Sequence, residues 1–420
     1  MTFVRAQRYL LAPSAGATPE QFAALCTRLG RIHVGMRKIA VSANQSGACR
    51  MAYLESILLA AGYRVGRWTR MGTDDLRSRI CIDGQPISHK QVCDLCEQIM
   101  KEIDGMQTEQ ESVTFDSEQK LCALAMLAFF CHGCDVVLLD ISEDCTGDPM
   151  WVCSPYTVVM PCGIGTQDTA LAKAQAAQIS RAVRRGTREV ISGFVGGEVY
   201  NLLSQACAAA GSRMTVPAKS EVVVSEQSLG RSVFTYRGKG PYRLHSSYAV
   251  QEEAALAAIE ACYALRRDGV RLPGQAMAAG LQKAQVALGF DVITVRPGVI
   301  ASAIYTQEDA RALLCALHDK RASFGGRVVL CTAQSPDALL AAFEKEFAGE
   351  DGYAVQEIIG VGQGTAQTEL VATTVCTTPK RAAKRILALT DPDTTVLIVG
   401  LPKFVGAVKE AVTDALIGLS

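Results

Sequence analysis

The sequence has no surplus of charge of either sign. Lysine plus arginine and aspartate plus glutamate each number 42 in 420 residues, and the isoelectric point is near 6.9. Neither nucleic acid nor an anionic membrane surface is therefore implied as a partner. Long apolar runs are also missing. No stretch reaches the ~18 residues needed to span a bilayer, and the first sixteen residues lack the apolar core and small-residue cleavage site of a secretory signal. A cytoplasmic protein is expected, with no membrane partner. Aromatic residues make up only 6%, with two tryptophans. The five histidines, His33, His89, His132, His245 and His318, follow no ligand spacing and read as structural or surface groups.

Cysteine, by contrast, is plentiful, with 16 in the chain. Most sit in apolar periodic segments such as Leu121 to Phe130, where cysteine acts as a small hydrophobe. Two pairs, Cys93/Cys96 and Cys131/Cys134, have the C-x-x-C spacing of a thiolate zinc site. The simpler expectation is free buried thiols, because joining the pairs needs a tertiary coincidence; a metal-linked structural protein is the reading that zinc would support.

A strand–loop–helix stretch organises the chain. Lys38 to Arg50 reads as a buried strand (Ile39 to Ala43), a small-residue loop and a helix (Ala48 to Ala61), the frame that cradles phosphate at a helix N-terminus. The loop has no lysine. Where nucleotide loops place a phosphate-binding Lys and a magnesium-binding hydroxyl, this one holds Gly47 and Cys49. Asn44, Ser46, Gly47 and the neighbouring cation Arg50 are the candidate nucleotide-binding residues. Arg50 is either an anion contact or a solvated helix residue.

The remaining chain alternates strands and helices. A helix is expected at Pro19 to Leu29, capped by Thr18, and another at Lys90 to Ile103, followed by a charged linker, Asp104 to Glu111. A long helix, Asp116 to Phe130, precedes Asp135 to Ile141, a Val/Leu run that suits a strand buried on both faces. Asp140 falls at that strand's C-terminal end, where ligands collect in open α/β sheets, and is the candidate metal ligand. Glu143, Asp144 and Asp148 beyond it read as a solvated acidic loop, and Asp309 and Arg311 as surface charges. Further strands are expected at Thr157 to Met160 and Glu189 to Ser192, a helix at Thr169 to Val183, and a β-rich patch at Glu221 to Leu244. The alternation restarts near Val299, which implies an α/β fold of two domains, residues 1–296 and 297–420.

Phrases along the chain carry a resemblance. They include Leu29-Gly-Arg-Ile-His33, Ser56-Ile-Leu-Leu-Ala-Ala-Gly-Tyr-Arg-Val-Gly66, Arg79-Ile-Cys-Ile-Asp-Gly-Gln-Pro-Ile-Ser88, Thr114-Phe115, Glu252-Glu-Ala-Ala-Leu-Ala257, Asp309-Ala-Arg-Ala-Leu313 and Thr395-Val-Leu-Ile-Val-Gly400. In these words and their order the sequence resembles the folylpolyglutamate synthase/dihydrofolate synthase family of the Mur ligase superfamily. The resemblance implies a P-loop-type central α/β domain and a smaller, Rossmann-like C-terminal α/β domain. It also implies an ATP- and magnesium-dependent ligase that joins glutamate to a folate-type acid through an acyl-phosphate.

The family's catalytic words are altered here. Its G-T-N-G-K-G-S loop becomes Ala43 to Cys49, and its magnesium Glu followed by G-L-G-G becomes Asp140 followed by Ile-Ser-Glu-Asp. A metal-binding His falls near Thr166, a carbamylated Lys near Ile179, and D-G-A-H-N-P at Ser302 to Gln307. P-G-R falls at Ala287 to Gly289, and T-S-P-H at Thr69 to Gly72. The expectation is a ligase-like protein without catalytic residues, kept for binding or assembly with a partner that the sequence does not identify. ATP and Mg2+ are cofactors only if activity is retained. The alternative is a divergent active ligase that adds glutamate or another amino acid, using Arg50 and Asp140.

Overall fold

The structure is a computed structural model that describes residues 1–42, 45–70, 75–109, 113–142, 148–161, 170, 173–174, 176–177, 180, 183–193, 197–228, 230–246, 248–286, 288–304, 307–320, 323–333, 337–346, 354–362 and 372–417. It divides into two compact units, Met1–Ala43, Arg50–Glu221 and Ala255–Ala284 in the first, and Asn44–Cys49, Val222–Ala254 and Gln285–Ser420 in the second. The α/β class expected from the alternation is the class observed.

The first unit is built on an eight-stranded sheet. Its strands are β1 (Arg37–Ser42), β2 (Val65–Trp68), β3 (Ile80–Ile82), β4 (Gln85–Pro86), β5 (Val136–Ile141), β6 (Val158–Met160), β7 (Glu189–Ile191) and β8 (Arg213–Thr215). They lie in the order β4-β3-β2-β5-β1-β6-β7-β8. From β2 to β8 every pairing is parallel, while β3 and β4 are antiparallel additions at one edge. All six residues of β5 are buried, as its Val/Leu run predicts for a central strand, and Asp140 is buried with them. Each fully buried Val, Leu or Ile there contributes about 1.5–3 kcal/mol.

Helices α1 (Phe3–Leu11), α2 (Pro19–Arg28), α3 (Gln45–Ala60), α4 (His89–Glu109) and α5 (Ser117–Cys131) surround the N-terminal half of this chain. Thr18 caps α2 in a capping box with Gln21, as the sequence predicts. Asp116 and Gln119 form the same device on α5, and the Gln119 amide also bonds the backbone N–H and carbonyl of Ala17 at 2.8 Å each. The stretch expected as a charged linker after Ile103 is instead helix as far as Glu109. Ile103 and Met106 keep the helical period and bury their side chains, which outweighs the surrounding charge. Helices α6 (Gly197–Ala210), α7 (Ala249–Arg267) and α8 (Gly274–Lys283) follow. Gly280 lets α8 approach α3: a Cβ there would lie 2.4 Å from the Cα of Ile57. The helix expected at Thr169 to Val183 lies for the most part outside the described residues.

The β-rich patch of the second unit is a three-stranded antiparallel sheet of β9 (Val222–Ser228), β10 (Arg231–Tyr236) and β11 (Lys239–Leu244). Its larger sheet runs β12-β13-β17-β14-β15-β16, formed by Asp291–Val295, Gly298–Ala303, Thr394–Gly400, Arg327–Thr332, Ala354–Val361 and Ala372–Cys376 in that spatial order. The β12–β13 hairpin spans residue 296, and β12 was not foreseen. Helices α9 (Gln307–Asp319), α10 (Asp337–Glu346), α11 (Pro379–Leu387) and α12 (Pro402–Ile417) complete this unit. No described helix is long and apolar enough to cross a membrane.

Candidate functional site

Because the central strands of the first unit are parallel, their C-terminal ends share one sheet edge, where β1 ends at Ser42, β5 at Ile141 and β6 at Met160. Val41 lies opposite Asp140 in this register. The two candidate residues of this unit, Arg50 and Asp140, both belong to this edge.

Arg50 is not the solvated helix residue that was the plainer expectation. It is 1% exposed, and its Nη1 donates to the carbonyl of Pro161 at 2.8 Å, immediately past β6. The guanidinium is thus tied into the end of the sheet. Gly47 and Cys49 are buried; Asn44 lies outside the described residues, as does the side chain of Ser46.

Asp140 is buried, and its Oδ2 accepts the backbone N–H of Arg70 at 2.9 Å. Its Oδ1 has no hydrogen-bond partner among the described residues. Burial pushes its carboxyl up to about 7, against the backbone N–H and guanidinium of Arg70, and the carboxylates of Asp148 and Glu118 add to the rise.

Arg70, which the sequence reading passed over, links these acids. Its Nη2 lies 2.6 Å from Asp148 Oδ1 and its Nη1 3.4 Å from Glu118 Oε1. Glu118 also accepts from Arg79 at 2.9 Å, and Arg79 stacks over the Trp68 ring at 4.4 Å. Asp148 departs from its reading as a solvated acid: its side chain is fully buried, and it accepts the N–H groups of Ser142 at 2.6 Å and Met150 at 2.9 Å. Those two bonds and the arginine give the buried side chain the polar partners that it loses from water. The only sequence signal for this network was Thr69-Arg-Met-Gly72, an arginine in the loop that follows β2 toward this edge. Glu143, Asp144, Thr166 and Ile179 lie outside the described residues.

The donor set fits a divalent cation poorly. Asp148 is engaged on both oxygens and Asp140 on one, which leaves, of these two side chains, a single carboxylate oxygen beside a guanidinium. Among the described residues no group of three or more His, Cys, Asp or Glu side chains could hold a metal ion. The two cysteine pairs do not combine into such a group either. Cys93, Cys96 and Cys134 are buried free thiols, and Cys131 is exposed rather than buried. Asp309, expected at the surface, is also buried.

The fold places the chain in a known architectural class, that of α/β proteins with two units, each built on a largely parallel sheet. More particularly, it has the fold of the folylpolyglutamate synthases. It is similar to the apo form of the L. casei enzyme (TM-score 0.80, 17% identity, 100% of each chain covered). It is also similar to a folylpolyglutamate synthase complexed with AMPPCP and folate (0.80, 16%, 99% of this chain and 100% of that one). The Mycobacterium tuberculosis enzyme complexed with ADP matches comparably (0.79, 18%, 97% of each). No family model and no curated protein matches the sequence.

Proposed function

We propose that the protein is a folylpolyglutamate-synthase-like pseudo-ligase: it keeps the two-domain scaffold as a binding or assembly module and does not form acyl-phosphates. The observation that carries this reading is Arg70. A fixed guanidinium occupies the carboxylate group around Asp140, where the resemblance implies magnesium, so the charge that a metal would supply is already provided by the chain. Phosphoryl transfer rests on positioned cations and metal ions, and removing one such group costs about 3 kcal/mol of transition-state stabilisation. The Gly47 and Cys49 substitutions remove two more.

A coupled assay for ADP release, with folate or another carboxylic acid and glutamate or another amino acid, tests the proposal. No turnover above the rate without enzyme is expected. ADP formation that requires both co-substrates overturns it.

One observation favours a second reading, a divergent ATP-dependent carboxylate–amine ligase. Asp140 is a buried carboxylate with a free oxygen and a raised pKa at the C-terminal sheet edge, and such groups cluster at working sites. That reading requires a nucleotide-induced rise in Tm that depends on magnesium and vanishes in Asp140→Ala or Arg50→Ala.

A further inference from the structure

The opposite edge of the first unit's sheet carries a different chemistry. Parallel pairing lines up the N-terminal ends of β2, β5, β1, β6, β7 and β8, and the residues at or just before their starts are Arg64, Asp135, Arg37, Thr157, Arg188 and Arg213. Backbone bonds stitch this row together: Asp135 N–H to Arg64, Arg37 N–H to Asp135, Thr157 N–H to Lys38, Glu189 N–H to Thr157 and Arg213 N–H to Arg188. At ~4.8 Å per strand the row is ~24 Å long.

Five more arginines join it. Arg184 and Arg185 form the exposed turn before β7, while Arg266, Arg267 and Arg271 lie at the end of α7 and in the loop after it. That loop is held against the row, because the Tyr63 hydroxyl bonds both the carbonyl and the N–H of Arg271, and Asp268 lies 3.4 Å from Arg37 and 3.5 Å from Arg188.

Part of this charge has a structural explanation. Helix C-terminal carbonyls attract cations, and Arg64 donates to the carbonyl of His132 at the end of α5, while Arg266 donates to that of Leu272 in the loop after α7. Arg267 grips Glu189, and Arg64 pairs with Asp83 at 3.5 Å. With Asp83, Asp135, Glu189 and Asp268 as its carboxylates, this edge remains strongly positive in a chain whose overall charge is zero. Arg184, Arg185, Arg213 and Arg271 are exposed and have no carboxylate partner among the described residues. In the loop after α7 is a shallow open depression of about 540 Å³, bounded by Arg266 and Arg271 and floored by Val270, Leu272 and Pro273.

We infer that this edge docks an acidic segment of a partner protein, with its carboxylates on the arginine row and one aliphatic side chain in the depression. Arginine presents a planar fork that matches carboxylate, and the edge already uses that geometry internally at Arg267–Glu189. An aliphatic floor suits a polypeptide side chain. Nucleic acid offers phosphates to the arginines but no aliphatic side chain for the floor, and single strands would also call for aromatic faces for base stacking, whereas Tyr63 here has its hydroxyl tied to the backbone of Arg271. The inference is independent of whether the other edge retains catalysis.

The test uses the full chain and fluorescence anisotropy at low salt. The probe is a labelled glutamate-rich peptide containing one leucine; its comparators are the same peptide with glutamine for glutamate and a labelled single-stranded oligonucleotide. The acidic peptide is expected to bind, at least tenfold more tightly than the glutamine peptide and the oligonucleotide. Arg184→Glu/Arg185→Glu/Arg213→Glu is expected to weaken it at least tenfold, and Lys345→Glu/Lys380→Glu/Lys384→Glu, matched in net charge and confined to the second unit, is not. Thermal melts check each fold, and Arg271→Glu alone serves if the triple variant unfolds. Absence of peptide binding, equal loss in both triple variants, or tighter binding of the oligonucleotide overturns the inference. So does sedimentation showing that the same arginines join two copies of this chain.

Discussion

Replacing Asp140 by asparagine should make the first unit lose most of one pH dependence. In the folded protein burial raises this carboxyl from 3.8 to about 7, so the folded state holds a proton that the unfolded chain releases between those values. A group whose folded pKa is raised contributes stability that is full below the unfolded pKa and is lost as pH rises through the folded one. A displacement of roughly three pH units at about 1.4 kcal/mol each makes the contribution about 4 kcal/mol, lost between about pH 4 and pH 7. Asparagine is close in shape, can still accept the Arg70 N–H, and does not titrate. The variant should therefore gain on the wild type by about 4 kcal/mol between pH 4 and pH 8. Trp68 and Trp151 both belong to the first unit, so tryptophan emission during urea unfolding follows it. A difference that is flat across this range, or of opposite sign, refutes the account of Asp140 as a carboxylate held in a desolvated site.

Three further outcomes follow from named contacts. Arg70→Met strands the fully buried Asp148 carboxylate and should destabilise the first unit by about 3 kcal/mol, read from the urea midpoint; an unchanged midpoint would show that the two backbone N–H bonds to Asp148 suffice. Gly280→Ala drives a methyl group into the backbone of α3 at Ile57 and should cost about 1–3 kcal/mol, seen as a lowered Tm. In the second unit burial raises the Glu357 carboxyl, but bonds from Arg385 and Thr374 hold it below the usual carboxylate range. Its contribution is present above the unfolded pKa and is lost as pH falls, so Glu357→Gln should narrow its stability deficit on acidification, measured by denaturant unfolding at pH 7 and pH 3.

Much of the architecture was legible because short-range physics decided it. The apolar run of β5 suits a strand buried on both faces, and Thr18 announces its helix through a side-chain cap that needs no tertiary partner. What escaped depends on distant residues. Residues 104–109 are polar by composition, yet they continue α4 because Met106 and Ile103 share a buried face. β12 is five residues of mixed exposure, given away only by its pairing with β13. Arg70 and Asp148 stand 78 positions apart, and nothing local signals that they meet. Arg50 read as solvated because its partner, a backbone carbonyl at Pro161, carries no sequence signature.

The central claim, a folylpolyglutamate-synthase fold without the ligase chemistry, is tested most directly by isothermal titration of the full chain with ATP and magnesium. The account predicts no saturable, magnesium-dependent heat, because under the proposal Gly47 and Cys49 stand where the resemblance implies a lysine and a hydroxyl, and the Arg70 guanidinium pairs with the carboxylates beside Asp140. A saturable isotherm that disappears when magnesium is chelated would contradict it.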